Sequence, residues 1–124
     1  MKYYYAPMSC AFATHVLLED AGAQYSAVRI DLKKGDQNKP KFLKINPKGR
    51  VPALVTNKGV LTENPAIMFY ICQLYPDKKL APDNPHELAE AQSFNMYYHQ
   101  QFMLVMLINI EVKDGLLMKM LLPH

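Results

Sequence analysis

The feature that most limits the fold of this chain is a hairpin pattern near its centre. Two short runs with strand character, Ala53 to Thr56 and Val60 to Thr62, flank Asn57-Lys58-Gly59. A short loop of this composition between such runs favours a tight antiparallel turn. A helix is predicted directly afterwards, because Asn64 is a good N-cap and Pro65 suits the first helical position. This half of the fold is therefore predicted to run strand, strand, helix.

The first thirty residues predict a strand, a helix and a second strand. The tyrosine-rich run Lys2 to Tyr5 and the alternating stretch Tyr25 to Ile30 both have strand character. Between them, Ser9 can cap a helix that starts near Cys10 and that Gly22 ends. The apolar positions of this helix, taken at helical spacing, are Phe12, Val16, Leu17 and Ala21.

The remaining elements complete a mixed architecture. Asp31 to Lys44 is polar and is predicted to be a loop with room for one helical turn. The buried face predicted for the second helix is Ile67, Tyr70, Ile71 and Leu74. Asn84-Pro85 is predicted to cap a third helix, whose apolar stripe is Leu88, Ala91, Phe94 and Tyr98. The order indicates an α/β domain with helices on the faces of a small mixed sheet.

The positive charge of this chain is unevenly distributed. Its net charge is only +3, but seven of the fourteen Lys and Arg residues lie between Lys33 and Arg50, opposed there only by Asp36. This segment is either an ordinary solvated surface or an anion-attracting rim beside a binding site. Nucleic acid is a less favoured partner, because no aromatic residue beyond Phe42 is interleaved for base stacking.

The two cysteines and the first residues of the chain indicate which cellular compartment to expect for this protein. Cys10 and Cys72 form no CxxC pair and no metal-ligand spacing. Cys72 lies in an apolar helical pattern and is predicted to be a core thiol. Met1-Lys2 leads directly into a strand, so no signal peptide is expected. The apolar block Phe102 to Ile110 is much shorter than the ~20 residues of a membrane span. We expect a cytoplasmic protein with reduced thiols and no membrane partner.

Cys10 is the first candidate for chemistry. It follows a strand and a turn and opens a helix, where free N–H groups and the helix dipole favour a thiolate or bind one. The alternative is an inert cysteine buried in the strand–helix junction, and the residues alone do not decide between them. His15 is five residues further on, on another helix face, and is predicted to be structural or at the surface.

Val51-Pro52 is the second candidate. An X-Pro bond between a lysine-rich loop and a strand can be cis, which would present the N–H and C=O of Val51 to an extended peptide. The alternative is an ordinary trans proline at the start of a strand.

The junction between the hairpin and the second helix is the third candidate. Free N–H groups at the helix start favour a carboxylate, and Glu63 could accept an ammonium group. Together they would suit the amino-acid end of a ligand. The alternative is that Asn64 only caps the helix.

Three stretches carry a resemblance to a known family. In chain order they are "YYAPMSCAFATHVLLEDAG", "INPKGRVPAL" and "LTENPAIMFYICQLYPD". Together they resemble the N-terminal domain of cytosolic glutathione transferases, especially the bacterial beta class, from Met1 to about Pro82. The resemblance implies a thioredoxin-like βαβ-ββα fold that binds glutathione as a co-substrate and needs no metal.

The resemblance also implies roles for single residues. Cys10 matches the beta-class cysteine near the glutathione sulfur, and Val51, before a cis Pro52, matches the residue whose backbone pairs with the cysteinyl part. Glu63 matches the acidic residue that holds the γ-glutamyl ammonium. Asn64 stands where the family has serine or another small residue, and could hold the γ-glutamyl carboxylate.

Three further residues enter by the same resemblance. Lys34 roughly matches a lysine that contacts the glycine end of glutathione, although Gly35 blurs the alignment. Tyr5 and Ser9 are the backup candidates for thiol activation, because other classes use a tyrosine or a serine near those positions.

The resemblance implies a second, all-helical domain that supplies the pocket for a small electrophile. We expect the glutathione-binding domain over residues 1–80, and a linker with the first helix of the second domain over residues 81–98. Residues 99–124 are predicted to be an atypical, out-of-frame tail that stands in place of the rest of this truncated domain.

This tail has an explanation at the level of the gene. Codons for His99 onward can be chosen so that a frame shifted by one nucleotide gives A-S-T-V-H-V-S-H-A-H-K-Y-R-G-Q-R-W-A, which looks like the next helices of a bacterial transferase. Met103 and Met106 restrict the choice to codons that permit histidine at both shifted positions. We expect one nucleotide lost after Tyr98 and a weakly active transferase. The alternative is a genuine short helix, and sequencing the DNA distinguishes the two.

Three functions follow from these observations. The first is a glutathione transferase that activates the glutathione thiol for attack on an electrophile, with a homodimer as the family's usual assembly. The second is a monothiol, glutaredoxin-like redox protein that uses Cys10 without a second cysteine. The third is a non-catalytic interaction module of transferase fold, in which replacing Cys10 would have no effect.

Overall fold

A four-stranded mixed sheet organises the molecule in this computed structural model, which describes residues 1–114 and the side chains through Gln101. The strands lie in the order β2-β1-β3-β4. Their bounds are β1 Lys2–Tyr5, β2 Ser26–Arg29, β3 Ala53–Thr56 and β4 Gly59–Thr62. β1 pairs parallel with β2 and antiparallel with β3, and β3 pairs antiparallel with β4. The predicted hairpin is confirmed.

Over residues 1–114, four α-helices and two 3₁₀ turns accompany these strands. The helices are α1 Ala11–Asp20, α2 Pro40–Leu43, α3 Asn64–Leu74 and α4 Pro85–Asp114, and the 3₁₀ turns are Asp36–Asn38 and Pro76–Lys78. α1 connects the parallel strands β1 and β2, and α3 follows the hairpin. The predicted βαβ-ββα arrangement and the α/β fold class are confirmed.

One buried cluster joins the sheet to α1 and α3. It consists of Tyr3, Ala11, Leu18, Ala21, Leu54, Ile67 and Ile71. The ring of Tyr3 carries its polar end into this core, and its hydroxyl donates a hydrogen bond to the carbonyl oxygen of Ala11 at 2.5 Å. Burial of these side chains is the main source of stability available to a domain of this size.

The apolar stripe predicted for α1 is wrong in two positions. Phe12 is 72% exposed and Val16 is also exposed. The buried positions are Ala11, Thr14 and Leu18, which recur every three or four residues and therefore share one face of the helix. The small side chains of Ala11 and Thr14 lie on the inner face of α1. The large apolar residues Phe12 and Val16 therefore did not indicate which face is buried.

The predicted face of α3 is confirmed at its centre and wrong at its end. Ile67 and Ile71 are fully buried and Tyr70 is half-buried, whereas Leu74 is 44% exposed. Leu74 is the last residue of the helix, where the chain turns away through Tyr75.

α4 begins as predicted, but most of its predicted apolar stripe is not buried. The side-chain oxygen of Asn84 accepts hydrogen bonds from the N–H groups of His86 and Glu87 at 2.8 and 3.2 Å. Leu88 is half-buried, while Ala91, Phe94 and Tyr98 are exposed, as are Met96 and Tyr97. Among the described residues, the main contact of α4 is with α3, and this contact covers only part of its surface.

The expected tail falls partly outside the described residues. The backbone of α4 continues through Tyr98 and His99 as far as Asp114, and residues 115–124 lie outside the described part. The domain boundaries and the shifted frame therefore stay predictions. Within the described residues, no helix has the length and apolar character that crossing a membrane requires.

Candidate active site

The turn before β3 is built by Asn46. Its buried side chain donates to the carbonyl oxygen of Arg50 at 2.7 Å and accepts from the N–H of Lys48 at 3.2 Å. The main-chain carbonyl oxygen of Asn46 accepts a hydrogen bond from the N–H of Gly49 at 3.0 Å. This bond closes a β-turn over Asn46-Pro47-Lys48-Gly49. Proline at the second position and glycine at the fourth are favoured in such a turn. The motif N-P-K-G thus fixes the backbone that leads into Val51.

Gly49 is required at its position for two reasons. Its φ is +62°, a conformation that side chains disfavour, and a Cβ there would lie 3.2 Å from Asn38 Oδ1 and 3.3 Å from the carbonyl oxygen of Gln37. The lysine-rich segment therefore packs directly against this turn, which places it beside the candidate site.

The bond between Val51 and Pro52 is cis, as predicted. Pro52 is buried and Val51 is half-buried. The Sγ of Cys10 lies 3.9 Å from the carbonyl oxygen of Val51. Two residues separated by more than forty positions in the chain, and predicted separately as site candidates, are therefore in contact.

The environment of Cys10 raises the pKa of its thiol. Cys10 is the N-cap residue of α1. Burial raises its pKa most, its own backbone N–H lowers it, and the charge of Glu63 raises it further. Burial and the nearby carboxylate thus favour the neutral thiol over the thiolate, and the choice between a reactive cysteine and an inert one buried in the strand–helix junction stays open.

His15 and Tyr5 belong to an aromatic cluster. The His15 ring lies 4.9 Å from the ring of Tyr5, 5.5 Å from that of Tyr3 and 5.9 Å from that of Tyr25, measured between centroids. The prediction that His15 is structural is therefore supported by its packing. The same packing holds the ring of Tyr5 in place. Within the part of the chain that the structure describes, the Tyr5 hydroxyl makes no hydrogen bond with Cys10.

The hydroxyl of Ser9 is committed to local structure. It donates to the carbonyl oxygen of Ala6 at 2.7 Å and accepts from the N–H of Ala11 at 3.3 Å. Ser9 thus supports the start of α1 from one residue outside the N-cap position. Because its proton is used, it is less available to donate a hydrogen bond to a ligand sulfur.

Glu63 is the N-cap residue of α3 and has a φ of 71°, unusual for a residue with a side chain. Its Oε1 lies 2.6 Å from the Nζ of Lys48, which also lies 3.2 Å from the Oγ1 of Thr62. The carboxylate expected to accept a ligand ammonium therefore already contacts an ammonium of the protein. Lys48 was not among the predicted site residues.

Asn64 does not cap α3, and the prediction that it does is wrong. It is the first residue of the helix, and its buried side-chain oxygen accepts a hydrogen bond from the hydroxyl of Thr14. Its amide nitrogen lies 3.6 Å from the sulfur of Met68. The physical reason is that the short polar side chain of Asn64 lies in the contact between α1 and α3 and makes its hydrogen bond there. Thr14 lies one helical turn after Cys10, so this bond ties the start of α3 to the start of α1.

The first turn of α3 retains backbone donors. Pro65 has no N–H, and the N–H of Ile67 bonds to the carbonyl oxygen of Glu63 at 3.0 Å. The N–H groups of Asn64 and Ala66 precede the first intrahelical bond and point out of the helix end, where a carboxylate would be stabilised.

Lys34 is not brought to this site by any contact among the described residues. Its Nζ lies 3.9 Å from Oδ2 of Asp31, and its side chain is 77% exposed. Asp31 also accepts the N–H of Lys34 at 3.2 Å, so this loop is organised around the aspartate. Within the described residues, no group of three or more His, Cys, Asp or Glu side chains is placed to hold a metal ion.

Comparison with known proteins identifies the family. The chain matches the family model described as "Glutathione S-transferase, N-terminal domain" over residues 1–73, more than half of its 124 residues. It belongs to the glutathione S-transferase family.

Among curated glutathione S-transferases, GstA of Escherichia coli O157:H7 is 42% identical over 87 residues, covering 68% of this chain and 43% of GstA. A zeta-class glutathione S-transferase of Euphorbia esula is 40% identical over 87 residues, covering 70% of this chain and 39% of the relative. The chain thus spans about two-fifths of the length of these two curated relatives.

Solved glutathione transferases have the same fold. A homologue from Sulfitobacter with bound glutathione has a TM-score of 0.74 and 38% identity, covering 78% of this chain and 47% of its own. A sphingomonad glutathione S-transferase complexed with glutathione has a TM-score of 0.67 and 38% identity, covering 75% and 48%.

Proposed function

We propose that this chain binds glutathione at the site formed by Cys10, Val51 and Glu63 and activates its thiol for attack on a small electrophile. The observation that carries the proposal is the contact of Cys10 Sγ with the Val51 carbonyl oxygen at 3.9 Å, beside a cis Pro52. Family membership and relatives with bound glutathione support the same conclusion.

The main chain of Val51 would hold the middle of the tripeptide. Its N–H and C=O can pair with the cysteinyl residue of glutathione as one step of an antiparallel ladder. Such pairing fixes the direction of the peptide and brings its sulfur to the end of the sheet where Cys10 lies.

The start of α3 would hold the γ-glutamyl end. The Glu63 carboxylate would accept the ammonium group, and the N–H groups at the start of α3 would donate to the carboxylate. Asn64 would contribute through its backbone, because its side chain is engaged with Thr14 and Met68. For the glycine end we retain Lys34, on the strength of the resemblance, as the proposed contact.

Cys10 would act as a hydrogen-bond donor to the sulfur of glutathione. A free thiol has a pKa of ~8.5 and is mostly protonated at neutral pH, and each unit of lowering requires ~1.4 kcal/mol of preferential binding to the thiolate. A protonated Cys10 can donate to that thiolate. The thiol proton passes to solvent, and the thiolate attacks an electrophilic carbon. A carbon–sulfur bond forms while the bond from that carbon to its leaving group breaks, and the leaving group departs with the electron pair of that bond.

The raised pKa of Cys10 disfavours the monothiol redox alternative. Mixed-disulfide exchange requires Cys10 to attack as a thiolate, and burial, more than the Glu63 charge, favours the neutral thiol.

The proposed function is tested by isothermal calorimetry with glutathione. We expect Glu63→Gln to weaken binding about tenfold or more, because a charge-assisted hydrogen bond to the ligand ammonium is lost. Glu87→Gln, the same change at an exposed site on α4, is the control and should bind like the unchanged chain. Equal affinities for both variants would refute the role of Glu63, and absence of binding by the unchanged chain would refute the proposal as a whole.

We also propose, from family membership, that the chain forms a homodimer and acts in the cytoplasm on a small electrophile. The exposed aromatic side chains of α4, among them Phe94 and Tyr98, offer apolar surface that a second subunit could cover.

A further inference from the structure

The γ-glutamyl end of glutathione carries an ammonium and a carboxylate that are bonded to the same carbon atom. In the proposed site Glu63 accepts from the ammonium, and the carboxylate lies at the start of α3. The side chain of Asn64 is not free to bind this carboxylate, because its oxygen accepts from the hydroxyl of Thr14 and its amide nitrogen lies 3.6 Å from the sulfur of Met68. A side-chain partner for the ligand carboxylate therefore has to come from a different residue.

Lys48 lies where such a partner is needed. Its Nζ is 2.6 Å from the Oε1 of Glu63 and 3.2 Å from the Oγ1 of Thr62. Thr62 and Glu63 directly precede α3, so the Lys48 ammonium lies beside the first turn of this helix. Because the two charged groups of the ligand share one carbon atom, a ligand whose ammonium contacts Glu63 brings its carboxylate close to the Nζ of Lys48.

The ammonium group of Lys48 retains a donor for a ligand. A lysine ammonium has three N–H donors, and among the described residues its polar partners are the side-chain oxygens of Glu63 and Thr62. The Lys48 side chain is 55% exposed, which leaves the third donor accessible. The side chain of Asn46 accepts the N–H of Lys48 at 3.2 Å, so the turn fixes the backbone from which the lysine extends. A contact from a position fixed in advance costs less ordering entropy on binding.

We propose that Lys48 determines the specificity of the site for the γ-glutamyl group, an assignment that rests on the proposed binding of glutathione. Its third N–H donates to the ligand carboxylate while Glu63 accepts from the ligand ammonium. The pair of opposite charges on the protein thus matches the pair on the ligand, and such complementarity contributes to specificity more than to raw affinity. One lysine of the basic segment between Lys33 and Arg50 thereby has a role in the site.

The test compares glutathione with γ-aminobutyryl-cysteinylglycine, which keeps the ammonium and lacks the neighbouring carboxylate. Isothermal calorimetry gives the ratio of the two dissociation constants for each chain. Both peptides place an ammonium beside Lys48, so repulsion between ammonium groups cancels in the ratio. We expect Lys48→Gln to reduce the preference for glutathione about threefold, the size of an exposed ion pair. Lys58→Gln, the same change at an exposed site in the hairpin turn, should leave the preference unchanged.

The outcomes separate the role of Lys48 from the proposed function. A preference for glutathione that falls in the Lys48→Gln variant and not in the Lys58→Gln variant supports the assignment. If glutathione binds but the Lys48→Gln variant keeps the full preference, or if both variants lose it equally, the assignment of Lys48 is overturned and the proposed function stands. If the unchanged chain binds neither peptide, both are overturned.

Discussion

The thiol of Cys10 lies at the start of α1, where backbone donors favour an anion, yet burial and the Glu63 carboxylate favour the neutral form. The raised pKa means that less thiolate is present at any given pH than for a free thiol. We therefore expect iodoacetamide to alkylate Cys10 more slowly than free glutathione at neutral pH, as measured by mass spectrometry of the Cys10 peptide. Glu63→Gln should speed this reaction, because it removes a charge that raises the pKa, whereas Glu87→Gln should not. Faster alkylation of Cys10 than of glutathione would contradict the assignment.

Lys48 already contacts the carboxylate that the ligand ammonium would use. Two ammonium groups near one carboxylate repel each other by about 1 kcal/mol at ~4 Å in water, which corresponds to about fivefold in affinity. We predict that Lys48→Met increases the preference for glutathione over its des-amino analogue about fivefold, as measured by calorimetry. The ratio is informative because effects of Lys48 on the rest of the ligand cancel in it. With Lys58→Met as the control, an unchanged ratio would show that Lys48 does not act on the ammonium subsite.

The sequence made Cys10, Val51-Pro52 and Glu63 candidates for the site because each follows from a local rule. A cysteine at a helix start, a proline after a loop and an acid before a helix are all visible within a few residues. Lys48 was missed because its contact with Glu63 spans 15 positions and depends on how the turn of Asn46 aims one long side chain. Asn64 was assigned the wrong role for a similar reason, since its partner Thr14 is 50 positions away.

Between elements, the hydrogen bond from Thr14 to Asn64 joins α1 to α3 in the core. Replacing Thr14 by valine keeps the shape but leaves the buried oxygen of Asn64 without this donor. We expect Thr14→Val to lower the free energy of unfolding by about 1–3 kcal/mol, as measured by urea denaturation. Thr14→Ser retains the hydroxyl and should lose less.

Thr62→Val is the matched control for this experiment, because the hydroxyl of Thr62 contacts Lys48 at an exposed site. It should change the free energy of unfolding by less than about 0.5 kcal/mol. If Thr14→Val and Thr62→Val have equal effects, the bond between the helices contributes nothing measurable.

Strand positions could be predicted well, and helix faces less well. The hairpin was visible because turn residues separate two runs with strand character, and β3 and β4 have nearly the predicted bounds. The inner face of α1 was not visible, since it begins with the small residues Ala11 and Thr14 and includes only one large apolar residue, Leu18. Hydrophobic size indicates a buried face only when close packing does not demand small side chains.

For the whole molecule, two tyrosines link stability to alkaline pH. Burial, together with the carboxylate of Glu19, raises the pKa of Tyr25 to about 12, and burial also raises that of Tyr3. A pKa that is higher in the folded than in the unfolded state stabilises the fold below the ordinary tyrosine value, and this contribution is lost as the pH rises towards the folded value. We expect the free energy of unfolding to fall between pH 10 and about 12.

Tyr25→Phe isolates the share of one residue in this loss. In urea titrations at increasing pH, the variant should lose less stability over this interval than the unchanged chain does. A loss of the same size in both would assign the effect to other groups.

The backbone of Glu63 has a φ of 71°, so the residue that would best stabilise the fold at this position differs from the residue that would bind the ligand. Glycine adopts such a conformation without hindrance, but it would delete the carboxylate. In a laboratory population selected only for heat resistance, glycine should therefore spread at this codon. In a population selected to bind glutathione, glutamate should persist at this codon, since functional sites commonly retain residues that lower stability.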